Sequence, residues 1–191
     1  MEDLSLHILD VAENGVRAGA TLIEVEVIEK PSENRLELVI KDNGRGMTEE
    51  EKARALDPFF STKSERKKKI GLGLPLLRQS AQEAGGDLEI ISAPGEGTTV
   101  RAWFEYDHID RRPLGDLAAT IMTLVIGNPE VDFVFKISYE NKAFEFDSRE
   151  VKRALAPLPI WHPEVAAQME ELIRARISEI RGSGGGGSVR S

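Results

Sequence analysis

Apolar positions change period several times along this chain, and each change marks an element. Leu4, Ile8, Val11, Ala12 and Val16 follow the helical period over residues 4–18, with Gly19 where a left-handed cap would stand. Residues 21–29 alternate instead, Ile23, Val25 and Val27 against Glu24 and Glu26, and alternation resumes at Leu36, Leu38 and Ile40 after a polar turn at 31–34. This predicts a hairpin with one wet face. Thr48 and Glu51 form a capping box that opens a short helix, expected to end near Asp57-Pro58. Residues 57–70 lack a strong period. A further helix is predicted from about Gly73 to Ala84, stopping at Gly85-Gly86. Leu88 and Ile90, then Val100, Ala102 and Phe104, read as two strands joined by a turn at 94–97.

Antiparallel strands with helices gathered on one side predict an α+β fold, a two-layer α/β sandwich with a mixed sheet and helices on one face, over residues 1–106. Beyond a junction at 107–113, a helix is expected at 114–126. Phe133, Phe135, Ile137 and Tyr139 then alternate, an Asn141 turn leads to a strand at 143–146, and helices follow at 149–155 and 163–181. These elements are expected to form a small α+β module over 107–181, its alternating aromatic residues serving as core rather than, with Trp161 and His162, as a partner surface. Residues 182–191, with four consecutive glycines at 184–187, read as a flexible Gly/Ser tail.

Composition narrows the function. With 191 residues of which 40% are hydrophobic, the chain can bury a core of its own. A formal net charge of −8 argues against a general binder of nucleic acid or of membrane surfaces, since a polyanion would be repelled over most of the exterior. Cysteine is absent, which excludes disulfides and thiolate metal sites. The acidic start, Met1-Glu2-Asp3, lacks a basic n-region or a spanning apolar stretch, so a cytoplasmic protein is expected.

The candidate chemistry lies in a glycine series: Asp42-Asn43-Gly44-Arg45-Gly46, then Gly71-Leu72-Gly73, then Gly95-Glu96-Gly97-Thr98-Thr99. Glycines this dense allow backbone to bend through positive φ and to approach a ligand closely, and their exposed amides suit phosphate. On the first helix Asp10 and Asn14 are four apart and project together. Asn14 offers a neutral oxygen to Mg²⁺, and Asp10 is placed to orient or deprotonate an attacking group, although polar pairs of this spacing also occur on solvated faces. His7 shares their face and is expected at the pocket edge. Asp42 ends a strand and can accept from an exocyclic amine, while Gly44 and Gly46 let a flat base lie on the backbone; Asp-Asn-Gly is equally ordinary turn chemistry. Lys63 and the basic run 66–69 precede the helix that starts at Gly73, whose free amides could hold phosphate.

In combination these segments resemble the GHKL ATPase domain, the Bergerat fold shared by histidine kinases, anti-sigma-factor kinases, DNA gyrase, mismatch-repair ATPases and large heat-shock chaperones. Residues 7–21 are similar to the N box, which would make Asn14 the magnesium ligand. Residues 42–46 resemble the G1 box, with Asp42 on the adenine amine and Met47 following it against the nucleotide. Pro58-Phe59-Phe60-Ser61-Thr62-Lys63 is similar to the segment that opens the ATP lid, Gly71, Leu72 and Gly73 to the glycines beneath the phosphates, and Thr98 to the threonine that supports the adenine site. The resemblance implies ATP and Mg²⁺ as cofactors. Gyrase-like and chaperone-like members carry a general-base Glu where this chain has Asp10. Histidine kinases carry a helix pair with a phosphoacceptor His ahead of this domain; here the sequence given starts at the N box, so the anti-sigma-factor kinase arrangement is the nearer likeness, and with it a protein partner. The whole chain, including His108-Ile109-Asp110-Arg111 and Pro113-Leu114-Gly115-Asp116, is also similar to small ATP-binding proteins of anaerobic bacteria, some encoded with hydrogenase or NADH-oxidoreductase subunits. Regulatory phosphotransfer or sequestration of a partner, a slow ATPase switch, and an adaptor with a degenerate pocket are the three functions these likenesses leave open.

Overall fold

The computed structural model describes residues 3–59 and 73–182. Helix α1 spans Leu4–Arg17 and is opened by Asp3, whose carboxylate accepts from the Leu6 N–H at 3.0 Å. Strands β1 (Leu22–Lys30) and β2 (Arg35–Asp42) form the expected hairpin around a short 3-10 turn at Pro31–Glu33. Helix α2 (Glu49–Ala55) starts at the Thr48–Glu51 capping box, in which both reciprocal hydrogen bonds are present. Helix α3 (Gly73–Glu83) leads into the antiparallel pair β3 (Asp87–Ser92) and β4 (Thr98–Glu105), and β4 pairs with β2.

Residues 107–182 differ from the separate module expected of them. Helix α4 (Leu117–Gly127) is followed by β5 (Asp132–Tyr139), which lies parallel to β1, and β6 (Lys142–Asp147) pairs with β5. The result is one six-stranded mixed sheet in the order β3-β4-β2-β1-β5-β6. The physical reason is the free edge of β1: its buried residues Ile23, Val25 and Val27 already face a core, and Phe133, Phe135 and Ile137 continue that face in register. Helices α5 (Ser148–Leu155) and α6 (Pro163–Gly182) close the chain, and α6 packs on α4, β5 and β6. Ile173, Ile177 and Ile180 of α6 belong to the same buried cluster as Leu4 and Ile8 of α1 and Leu77 of α3. The boundary expected at 106 thus falls between segments that share one sheet and one core.

Helix α4 begins three residues later than its period predicts. The Pro113 and Leu114 carbonyls accept from Leu4 and Ser5, so they serve the first turn of α1, and the Asp116 carboxylate caps α4 through Ala119 N–H at 3.0 Å. At the far end of β1, Glu29 is turned into the core with 1% of its surface exposed. Arg181 of α6 meets it at 2.9 Å and the Tyr106 hydroxyl donates to it at 3.2 Å, so this buried carboxylate ties the last helix to the sheet. The opposite sheet face is solvated, with Glu24 across from Lys41 and Glu37 held between Arg35 and Arg101.

Candidate functional site

A cavity of about 440 Å³ opens between the C-terminal half of α1 and the ends of β2 and β4. Its apolar wall is Val11, Met47, Ala55, Leu74 and Val100; its polar groups include Asn14, Arg17, Asp42, Arg45 and Thr98. Apolar faces with a few fixed polar atoms are what a planar base requires.

Asp42 is the last residue of β2 and is half-buried. Burial pushes its carboxyl upward, opposed by backbone hydrogen bonds from Gly44, at 2.8 Å, and from Thr98. Gly15 of α1 faces it so closely that a Cβ there would lie 2.9 Å from the Asp42 Cβ. Gly46 has φ +70°, and a side chain on it would run into the Ala93 carbonyl, so the backbone under the cavity is fixed by glycine. Asn43 does not face the ligand space: its side chain accepts from Thr21 N–H at 2.8 Å and Leu22 N–H at 3.0 Å, locking the loop to the start of β1.

Thr98 Oγ1 lies 2.9 Å from the Ser92 hydroxyl, which also receives the Met47 N–H at 2.8 Å and contacts the Gly97 carbonyl at 2.8 Å. Ser92 thereby joins β3, the Asp42–Met47 loop and β4. At the other end of the cavity, Asn14 Oδ1 accepts from Arg17 at 2.8 Å, and Arg17 also pairs with Glu13 at 3.0 Å. Arg45 is paired with Glu51 at 3.0 Å.

Asn14, Asp42, Gly46, Met47 and Thr98 therefore line one cavity, and Gly44 stands behind it, donating its N–H to Asp42. Asp10 is not among the cavity-lining residues; its carboxylate lies against Gly73 at the start of α3, so closely that a Cβ there would displace it. Lys63, Gly71 and Leu72 lie outside the described residues. His7 is corrected from pocket edge to interior. It is 2% exposed, its Nδ1 has no hydrogen-bond partner among the described residues, and burial, aided by the nearby Arg112 charge, lowers its pKa from 6.5 to about 4. Gly15, Arg17 and Ser92 were not read as site residues from the sequence. Arg17, on the same face as Asn14, carried the plainest signal; Ser92 ends a strand and carried none.

The family model described as histidine kinase-, DNA gyrase B- and HSP90-like ATPase matches residues 2–108, more than half of the chain. The chain belongs to this family. Among curated relatives it is 34% identical over 106 residues to the non-motile and phage-resistance protein of Caulobacter vibrioides, covering 54% of this chain and 13% of that one. It is 31% identical over 91 residues to the sensor histidine kinase ZraS of Klebsiella oxytoca (47% and 19%), and 31% over 90 residues to sporulation kinase C of Bacillus subtilis (47% and 20%). The matched part thus spans a fifth or less of these relatives. The solved N-terminal domain of a DNA repair protein shares the fold at TM-score 0.50 and 15% identity, covering 77% of this chain and 52% of that one. This GHKL domain is accordingly of the histidine kinase type. None of its described helices is long and apolar enough to cross a membrane.

Proposed function

We propose that this GHKL domain binds ATP with Mg²⁺ in the cavity under α1 and acts through its nucleotide state on a protein partner, as a kinase-like regulator or a nucleotide switch. The observation that carries this reading is the placement of Asp42: a half-buried carboxylate between Gly15 and Gly44, lining an apolar cavity whose other end holds Asn14 and Arg17. The carboxylate accepts from the exocyclic amine of adenine, and Val11, Met47, Leu74 and Val100 cover the ring. Asn14 fits Mg²⁺ through a single neutral carbonyl oxygen, as expected of an ion that takes most of its shell from phosphate and water. Held there, the ion would supply charge neutralisation for the phosphates. Arg17, which donates to that oxygen at 2.8 Å, is exposed and long enough to reach toward a phosphate instead.

A slow ATPase is the second reading, favoured by Asp10, whose carboxylate sits one helical turn before Asn14 and against the first residue of α3. Incubation with Mg²⁺ and γ-labelled ATP separates the two. Phosphate release above the protein-free rate, lost in both Asp10→Asn and Asp42→Asn, supports turnover by this site. Saturable ATP binding without release supports the regulatory reading. Absence of binding overturns both and leaves the fold as an adaptor.

A further inference from the structure

The hydroxyl of Ser92 has three neighbours and one proton. Met47 N–H can only donate to it, the Gly97 carbonyl can only accept from it, and Thr98 Oγ1 can do either. Only one assignment satisfies all three contacts: Ser92 gives its proton to Gly97, and Thr98 gives its own to Ser92. Thr98 then shows only lone pairs to the cavity it lines. Its register partner Asp42, one strand away, lines the same cavity with a carboxylate, which is likewise an acceptor.

We infer that Ser92, which does not line the cavity, is a positioning residue that sets base specificity by fixing the Thr98 hydroxyl as an acceptor; the inference rests on the nucleotide reading of this cavity. An exocyclic amine has two N–H groups and can serve both acceptors. A 6-oxo purine has one N–H at this edge and turns the O6 lone pairs against the other acceptor. A buried mismatch of this kind is what makes hydrogen-bonding sites selective.

The test compares Kd for ADP and inosine diphosphate, which differ at this edge alone, by calorimetry on the full chain. The wild type is expected to prefer ADP. In Ser92→Ala the freed Thr98 hydroxyl can rotate and donate to O6, so the preference falls about tenfold. Ser92→Thr keeps the hydroxyl and retains the preference. Thr98→Val removes the hydroxyl itself and lowers the preference with the Ser92 contacts to Met47 and Gly97 intact, which keeps the test in force if Ser92→Ala does not fold. If Ser92→Ala weakens both nucleotides equally, Ser92 is only structural and the inference is overturned. A wild type that binds both equally also overturns it while leaving the nucleotide reading intact, whereas a wild type that binds neither overturns that reading itself.

Discussion

Gly15→Ala sets two effects of opposite sign against each other. In the interior of α1, alanine is favoured over glycine by roughly 0.5–1 kcal/mol because it restricts the unfolded chain. The new methyl, however, would stand 2.9 Å from the Asp42 Cβ and 3.2 Å from its carboxylate, so Asp42 must move by some tenths of an ångström. Overpacking of this kind costs about 1–3 kcal/mol, which leaves the variant less stable by around 1 kcal/mol. The larger consequence is for binding. A hydrogen bond to a charged group contributes about 1.5–3 kcal/mol, so displacing the Asp42 carboxylate weakens ADP binding by about tenfold to a hundredfold. Thermal unfolding and calorimetric titration of the same sample read both. A raised Tm with Kd within twofold of wild type would show that Gly15 does not set the position of Asp42, and the close approach of α1 to β2 would lose its functional meaning.

Three further outcomes follow from the same packing. His7 is protonated below pH 6.5 when unfolded but only below about pH 4 when folded; stability is therefore complete above pH 6.5 and falls by up to about 3 kcal/mol as pH drops toward 4. Denaturant unfolding between pH 4 and 7 should show a shallower slope in His7→Leu, and an unchanged slope would mean His7 is not the group responsible. Arg181→Ala leaves the Glu29 carboxylate, 1% exposed, with the Tyr106 hydroxyl, and is expected to cost about 3 kcal/mol, largely recovered by adding Glu29→Gln; equal stability of the single and double variants would contradict a role for the pair. Ile173→Ala in α6 should cost about 2–5 kcal/mol and lower a single unfolding transition seen alike by far-UV circular dichroism and by tryptophan fluorescence, because Ile173 shares one buried cluster with Leu4, Ile8 and Leu77; two separate transitions would contradict that unity.

The periods of 3.6 and 2 located the helices and strands, because each face of each element has one kind of neighbour. Alternation in β5 did not reveal its partner: Phe133, Phe135 and Ile137 would look the same in a sheet of their own and beside β1. His7 and Asn14 lie on one stripe of α1, yet seven residues separate them by about 10 Å along the axis. The stripe is buried at His7, near the turn held to Pro113 and Leu114, and open to the cavity at Asn14. That Asp42, Asn14 and Thr98 would share one cavity was legible because carboxylate, amide and hydroxyl accompany glycines in a fixed order. Ser92 was not, since its role comes from three contacts in space and none in sequence.

The most direct test of the cavity as an adenine site is a calorimetric titration of ATP and GTP, with and without Mg²⁺, into the wild type and Asp42→Asn. Saturable ATP binding that is strengthened by Mg²⁺, exceeds GTP binding and drops at least tenfold in Asp42→Asn is the expected result. Binding that ignores the base and the Asp42 substitution, or no binding at all, would contradict it.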